Sequence, residues 1–252
     1  MSQLSSVKKA LRILEAFSLD QPELGVTEIS RILKSHKSSV FRVLRTLVST
    51  GFVEKNPQTN KYRLGLKLVE LGNRILDHYD LRDHAGPFME ALAKKTKEII
   101  HLSILDRNEI VYLDKRGEGQ TLTVATKIGG RSPAHACAMG KVLLAGLSSE
   151  ELSNVLALGP LAKLTPKTVT TIPKLLRELE LVRSRGYAVD DEESFPGIRC
   201  VAAPLSDREG TTVAAISATV PKQRMGKKRM REMSQEIIET ARLISRKIEG
   251  GG

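Results

Sequence analysis

Apolar residues in the first part of the chain recur at steps of three and four, the spacing of amphipathic helices. The spacing predicts a helix from about Ser6 to Phe17, a second helix capped by Thr27, and a third that ends at Gly51 after a break at 34–36. Their inner faces are expected to carry Val7, Ala10, Leu11, Leu14 and Phe17, then Ile29, Ile32 and Leu33, then Val40, Val43, Leu44, Leu47 and Val48.

Two short strand patterns follow the third helix. Residues 52–55 and 61–64 flank a turn of Asn, Pro, Gln, Thr and Asn, a composition that favours a hairpin. A short helix, a tight turn, a longer helix and a two-stranded ribbon are typical of a winged helix-turn-helix.

The outward face of the third helix has the chemistry of a DNA-reading surface. Arginine pairs with guanine, serine with phosphate or base, and phenylalanine contacts a thymine methyl group. The candidate DNA contacts are Lys37, Ser38, Ser39, Phe41, Arg42 and Arg45 on the helix, with Lys55, Lys61 and Arg63 placed on the hairpin to touch the flanking backbone. The helix pattern alone also fits an ordinary solvated face of a helical bundle.

The rest of the chain changes from a purely helical pattern to mixed strand and helix. Helices are predicted over 66–79 and 81–96, and later over 138–147, 149–158, 173–185 and 226–248. Strands are predicted over 99–105, 110–115, 122–125, 187–190, 199–205 and 213–220. Helices around a largely antiparallel sheet make an α+β fold. We therefore expect a winged helix-turn-helix domain over 1–66, a helical linker over 67–81 and an effector domain over 82–252.

Charge supports nucleic acid as a partner. The 252 residues hold 40 Lys and Arg against 29 Asp and Glu, and the first 75 residues hold 13 against 6. Most of the excess therefore lies in the part that resembles a DNA-binding domain, where a positive field attracts phosphates. Absence of Trp and the small number of Phe and Tyr argue against a stacking platform for single strands, which favours duplex DNA.

Other features of the sequence indicate the cellular compartment. No stretch approaches the roughly 20 apolar residues of a membrane span, and no secretory segment follows Met1. Cys137 and Cys200 lie far apart in the sequence, as in proteins of a reducing compartment. We expect a cytoplasmic protein that makes no membrane contact.

Two segments of the larger domain carry a resemblance to a known family. Residues 130–145 read GRSPAHACAMGKVLLA, and residues 190–193 (DDEE) are followed by GIRCVAAP over 197–204. In the N-terminal part, KSSVFRVL over 37–44 and LVSTGFV over 47–53 are similar to the family's recognition helix and wing entry. Together these segments resemble the isocitrate lyase regulator (IclR) family of bacterial transcription factors, over nearly the whole chain. The sequence departs from the family at Lys34, usually glycine, and at His36, usually proline.

The resemblance implies a regulator, not an enzyme. Its expected parts are a winged helix that binds a palindromic DNA operator as a homodimer or tetramer, a linker helix, and a GAF-like domain that binds a small organic acid, with no cofactor and no metal. The family's effector positions fall here on Ala138, Met139, Asp190, Cys200, Ser217 and Thr219. Met139 replaces a residue that is usually smaller, which narrows the expected pocket.

These positions are chemically suited to an organic acid. Backbone N–H groups at the start of a helix near Ala138 favour a carboxylate. Ser217 and Thr219 share one strand face, and with Asp190 they are expected to bond hydroxyl or keto groups. We expect Arg131 to form a surface salt bridge and His135 to be a buried, hydrogen-bonded structural residue.

Three alternatives have some support in the sequence. His135, Cys137, Asp190 and Cys200 are all types of zinc ligand, although no closely spaced ligand pair occurs. The two cysteines permit a thiol-based oxidoreductase, but neither lies in a redox motif and the winged helix would have no role. A sensory module whose basic N-terminal part docks another protein fits the same charge pattern.

Overall fold

The computed structural model describes residues 5–78, 81–117 and 126–250, and their side chains except those of 75–78 and 250. The chain divides into two compact units, residues 1–79 and 80–252. A helix over Lys67–His78, called α4 below, covers most of the linker expected over 67–81, and it belongs to the first unit. The expectation of a separate linker between two domains stays a prediction.

The first unit is a helical core with a two-stranded wing. Its elements are α1 (Ser5–Glu15), α2 (Val26–Leu33), α3 (Lys37–Ser49), β1 (Val53–Lys55), β2 (Tyr62–Leu64) and α4 (Lys67–His78). β1 and β2 are antiparallel, with Val53 opposite Leu64. Ile13, Ile29, Val40 and Leu44 are fully buried where the first three helices meet. This packing holds α3 with one face inward and the other outward.

The start of α2 differs from the sequence prediction. Thr27 is not the N-cap, because the helix begins at Val26 and Gly25 occupies the cap position. The Gly25 N–H donates to the Glu28 carboxylate at 2.6 Å, as in half of a capping box. Glu28 therefore determines where the helix begins. The sequence prediction differed because it relied on the Thr27 hydroxyl as the cap.

Four predicted inward positions of the helices are exposed. Ile32 and Val48 lie at the edges of their apolar stripes, 47% and 37% exposed, while Leu33 and Leu47 point inward. In α1 the buried residue is Ile13, and Val7 and Leu11 are 52% and 55% exposed. The outer side of α1 therefore presents apolar surface that the described unit does not cover.

The second unit is built on a six-stranded antiparallel sheet. Its elements are α5 (Leu81–Thr96), β3 (Ile99–Asp106), β4 (Glu109–Arg116), β5 (Arg131–Pro133), α6 (Ala138–Ala145), α7 (Ser149–Leu156), α8 (Ile172–Arg185), β6 (Ala188–Asp191), β7 (Ile198–Ser206), β8 (Thr212–Pro221) and α9 (Lys227–Gly250). The strand order is β5-β4-β3-β8-β7-β6. The predicted α+β class, a winged helix followed by an antiparallel sheet with helices, is confirmed.

Two helical layers cover this sheet. α5 and α9 pack together against the sheet, and α6 packs on β7 and β8 from the opposite face, with α8 behind it. β5 was not predicted, because three residues with an arginine and a proline show no alternation. The strand predicted over 122–125 lies outside the described residues. None of the helices within the described ranges has the length and apolar character of a membrane span.

Candidate functional site

The outward face of α3 is free to meet a partner. Lys37, Ser38, Phe41, Arg42 and Arg45 are exposed, and the buried positions of the helix are Val40, Leu44 and Leu47. Because the inner face is packed in the core, the backbone positions that carry the outward side chains are fixed. This division follows directly from the three- and four-residue spacing of the sequence.

The turn before α3 takes the geometry that a glycine usually provides. Lys34 ends α2 in the left-handed region, with φ 50° and ψ 50°, and its N–H donates to the carbonyl of Arg31 at 3.2 Å. A residue with a Cβ adopts this conformation at a cost of about 1 kcal/mol. The substitution at Lys34 therefore leaves the helix-turn-helix geometry in place.

Three of the predicted DNA contacts already have partners within the first unit. Ser39 accepts a hydrogen bond from Lys9 Nζ at 2.6 Å, and Lys61 lies 3.3 Å from a Glu28 carboxylate oxygen. Arg63 Nη2 lies 3.0 Å from Glu54 Oε2. Lys55, by contrast, is exposed on the wing. An open cleft of about 600 Å³ separates the wing from the outer face of α3. Its lining includes Phe41, Arg42, Arg45, Lys55 and Tyr62.

In the second unit, all six predicted effector positions line one cavity, which we call the α6 cavity. Its lining residues are Tyr112, Thr126, Ser132, Cys137, Ala138, Met139, Asp190, Ser194, Phe195, Ile198, Cys200, Ser217 and Thr219. It lies between the start of α6 and the sheet, and its volume is about 30 Å³. That volume accommodates a water molecule but not an organic acid.

The start of α6 directs backbone donors toward this cavity. Cys137 is the N-cap, and its Sγ accepts the Gly140 N–H at 3.4 Å. The N–H groups of Ala138 and Met139, in the first turn, donate to no other described residue. A Cβ on Gly140 would lie 2.1 Å from the carbonyl oxygen of Ala134, so only glycine permits this close approach. The positive helix end therefore faces the cavity.

The sheet side of the cavity is a polar network. Thr219 Oγ1 lies 3.5 Å from Cys200 Sγ and 3.2 Å from His101 Nδ1, and His101 Nε2 lies 2.7 Å from Thr126 Oγ1. Burial, with a smaller contribution from the Lys115 charge, lowers the pKa of His101 to about 3. His101 is therefore neutral near pH 7, with one ring nitrogen available as an acceptor.

Ser217 differs from the rest of this wall. Its side chain is buried and lines the cavity, yet within the described ranges it has no hydrogen-bond partner. A hydroxyl group in that position retains both its donor and its acceptor capacity. Ser217 is thus the residue on the sheet side with the most free capacity to bond a ligand.

Asp190 also lines the cavity, but its oxygens bind its own loop. Oδ1 accepts the Glu193 N–H at 2.6 Å and the Ser194 N–H at 3.4 Å, and Oδ2 accepts the Ser194 hydroxyl. Burial raises the pKa of Asp190, against the lowering effect of these hydrogen bonds. The carboxylate therefore holds the loop that carries Phe195, and the direct ligand bond expected for Asp190 stays a prediction.

Sequence reasoning did not identify Lys141 as a site residue. Its side chain is 1% exposed, and Nζ lies 2.5 Å from Glu178 and 2.6 Å from Glu193. The lysine thus joins α6 to α8 and to the loop after β6. The signal in the sequence was a single charge inside the apolar run from Ala138 to Ala145.

The cysteines do not support thiol chemistry. Burial raises the pKa of Cys137 to about 12, and burial together with the Asp190 charge raises the pKa of Cys200. Both groups remain thiols near pH 7, and the thiol is a poor nucleophile. As for zinc, no cluster of three or more potential ligands occurs in the described part of the chain.

Two structural expectations for the nearby segment are confirmed. Arg131 forms surface salt bridges with Asp106 and, at 3.2 Å, with Glu109. His135 is buried, and its Nε2 lies 2.9 Å from the carbonyl oxygen of Ala162. Neither residue is among those that line the α6 cavity.

Two family models match this chain. The IclR helix-turn-helix domain matches residues 6–57, and the bacterial transcriptional regulator IclR C-terminal model matches residues 73–246. Together they account for both units of the fold.

Characterised relatives match over almost the whole length. The HTH-type transcriptional regulator KdgR of Escherichia coli K12 is 38% identical over 242 residues, covering 96% of this chain and 92% of the relative. XynR of the same organism, also an HTH-type transcriptional regulator, is 36% identical over 247 residues, 98% of each chain. These relatives are named transcriptional regulators, so the expectation of a regulator is confirmed over the alternative of a thiol-based oxidoreductase.

Solved structures share the fold. The Thermotoga maritima IclR structure has a TM-score of 0.80 at 33% identity, covering 98% of this chain and 99% of that one. An IclR homologue from Microbacterium hydrocarbonoxydans, complexed with 4-hydroxybenzoate, has a TM-score of 0.85 at 29% identity, covering 97% and 99%. With the resemblance of its motifs thus confirmed, the chain belongs to the IclR family of transcriptional regulators, with an N-terminal DNA-binding domain and a C-terminal effector-binding domain.

Proposed function

We propose that this regulator controls a metabolic operon by binding a palindromic operator, and that a small organic carboxylate in the α6 cavity modulates that binding. The observation that carries the proposal is the gathering of all six predicted effector positions around one cavity that faces a helix N-terminus. A regulator of this kind acts where the bacterial chromosome lies, in the cytoplasm.

DNA recognition is assigned to α3 and the wing. Arg42 and Arg45 are exposed on the face opposite the buried stripe, with Phe41 beside them. Lys37, Ser38 and Lys55 are assigned to phosphates or base edges at the two ends of this surface. Ser39 and Lys61 take part once DNA phosphates replace Lys9 and Glu28 as their partners.

Effector binding is assigned to the start of α6 and the sheet wall. The amides of Ala138 and Met139 receive the carboxylate, and Ser217 with Thr219 bonds a hydroxyl or keto group. The Microbacterium homologue is complexed with 4-hydroxybenzoate, which carries both kinds of group. Asp190 positions the loop, and Cys200 contributes van der Waals surface and a weak thiol contact.

The small cavity volume requires a side chain to move before such a ligand enters. Phe195 is exposed on its loop, and the Met139 side chain is hydrogen-bonded, among the described residues, only by the Ser103 hydroxyl, which donates to its Sδ at 3.1 Å, so these are the two large lining side chains that we assign to this movement. Methionine has three rotatable bonds and adapts readily, and Phe195 is 48% exposed on its loop. We infer that the ligand displaces these side chains, so that binding changes the position of the 192–197 loop.

A palindromic operator requires two reading heads. A single winged helix makes few base contacts, and heads held together read half-sites roughly 34 Å or a multiple apart. The exposed apolar residues Val7 and Leu11 on α1, with Leu66 and Val69 at the start of α4, are the surface we assign to a second copy. We therefore propose a homodimer, or a tetramer built from dimers.

The experiment is a selection of random duplex DNA by the full-length protein, followed by titration of the selected duplex. A panel of carboxylic acids, 4-hydroxybenzoate included, is then added at fixed protein concentration. We expect a selected sequence with two inverted half-sites and at least one acid that shifts the affinity. Selection of a single half-site by a monomer, or no response to any acid, would contradict the proposal.

A further inference from the structure

A second cavity lies on the α9 side of the sheet, on the face opposite the α6 cavity. It is an open groove of about 410 Å³ between the C-terminal half of α9, β7 and the segment that joins α8 to β6. Three arginines line it, Arg185, Arg242 and Arg246, and Glu249 is the one acidic residue of the lining. We call it the arginine groove.

Its arginines have no acidic partner among the described residues. Arg242 and Arg246 stand one helical turn apart on α9, where like charges repel. Both are exposed, and within the described ranges neither forms an ion pair or a side-chain hydrogen bond. The groove thus gathers positive charge that no described carboxylate neutralises through an ion pair.

The third arginine is held in position by an aromatic ring. The Arg185 guanidinium lies over Tyr187 at 4.5 Å, and its Nε donates to the Tyr187 carbonyl oxygen at 2.6 Å. Stacking fixes the plane of the group and leaves its terminal nitrogens as donors toward the groove. Less conformational freedom is then lost when an anion binds.

The rest of the lining suits a compact organic molecule. Ala203 and Ala241 are buried and small, so they leave room beneath the arginines. Ser245 Oγ accepts the Ser206 N–H at 3.0 Å, which leaves its own hydroxyl hydrogen to donate. The groove volume falls within the range of small-molecule sites.

We propose that the arginine groove binds a small organic anion with two or more phosphate or carboxylate groups, as a second ligand site of the regulator. Guanidinium groups bind both kinds of oxyanion through paired hydrogen bonds. The site shares no lining residue with the α6 cavity, and it does not depend on the function proposed for that cavity.

Isothermal titration of the full-length protein tests this, with pyrophosphate and citrate as separate probes at near-physiological salt. We expect saturable binding of at least one probe. The difference in affinity between the two probes then shows whether the groove prefers phosphate or carboxylate ligands. Arg242→Gln/Arg246→Gln should weaken it at least about tenfold, since two charged hydrogen-bond donors are lost. Arg185→Gln should weaken it independently.

The matched control is Lys227→Gln/Arg231→Gln, which removes the same charge from an exposed pair at the other end of α9. Unaltered affinity in this control locates the site in the groove, whereas loss of probe binding in Ser217→Leu would place the probe in the α6 cavity and overturn the proposal. Equal weakening in both double variants would reduce the effect to net charge and overturn the proposal. So would the absence of saturable binding of either probe.

Discussion

Lys141 Nζ lies 2.6 Å from Glu193 Oε1, and both side chains are buried beside the α6 cavity. Glu178 on α8 also contacts this ammonium group. Lys141 is thus the only described positive charge that directly pairs with either carboxylate. Burial raises the pKa of Glu193, against the lowering effect of the Lys141 charge and hydrogen bond. The ion pair holds the loop between β6 and β7 against α6.

Lys141→Met is expected to lower the free energy of unfolding by about 3–5 kcal/mol, because it leaves two carboxylates without a buried counter-charge. Urea unfolding at neutral pH measures the change. The control is Lys167→Met, which breaks the pairs of a 45% exposed lysine side chain with Asp191 and Glu192 and should cost less than about 1 kcal/mol. Similar losses in the two variants would show that the buried pair has no special role.

Arg42→Ala is expected to weaken operator binding by about 1–3 kcal/mol without changing the melting temperature, because the side chain is exposed and bonds no other described residue. Titration of the selected duplex measures the change. Arg177→Ala, at an exposed position of α8, is the control and should leave the affinity unaltered. A folded Arg42→Ala variant with full affinity would remove this residue from the reading surface.

The sequence predicted the elements well where one face of a helix or strand is buried. The buried residues of α3 and the antiparallel strands were predicted from periodicity alone. In these elements the packing of neighbouring elements buries the same face that the apolar residues mark in the sequence. The sequence prediction failed where contacts between residues far apart in the chain determine whether a residue is buried or a strand forms. Ile13 is buried only because α2 and α3 enclose it, and β5 forms only because β4 offers an edge.

The candidate site, too, was predicted from the sequence only in part. Family motifs identified the lining of the α6 cavity, but they did not indicate that Asp190 bonds its own loop. Nor did they show Lys141 as a structural residue, because its partners are 37 and 52 positions away. Such partners follow from the packing of α6 against α8 and the sheet, which no local pattern encodes.

Ser217→Leu is expected to abolish the response to an active carboxylate, because the larger side chain fills the space that the ligand needs. Coupling between two sites is typically about 1–3 kcal/mol, so the response lost is about 5- to 150-fold in operator affinity. Affinity without ligand should stay within about twofold of wild type. Ser184→Leu on the exposed side of α8 is the control, and a normal response in Ser217→Leu would place the effector elsewhere.

Leu11→Glu is expected to convert the assembly to monomers, because a charge on the exposed apolar side of α1 is costly to bury against a second copy. Sedimentation velocity at micromolar protein measures the result. Leu19→Glu introduces the same charge at a leucine that is 72% exposed outside α1, and it should leave the assembly intact. Monomers in the wild type would contradict the proposed surface.

Stability below pH 6.5 should depend on His101. Its pKa is about 3 in the folded protein against 6.5 for the free side chain, so between these values the unfolded chain binds the extra proton. The contribution of His101 is therefore fully present above pH 6.5 and is lost as the pH falls, by about 1.4 kcal/mol per pH unit. Asp190 and Glu193, with raised pKa values, act in the opposite direction, since they favour the folded state more at low pH.

His101→Gln separates these effects because it removes the imidazole and retains the two carboxylates. Between pH 6.5 and pH 5 the wild type should lose about 2 kcal/mol relative to the variant, whatever the offset between them at neutral pH. Urea unfolding at several pH values in this range gives the two slopes. Parallel slopes would mean that His101 takes up its proton without cost in the folded state, and that the buried network around Thr219 opens readily to water.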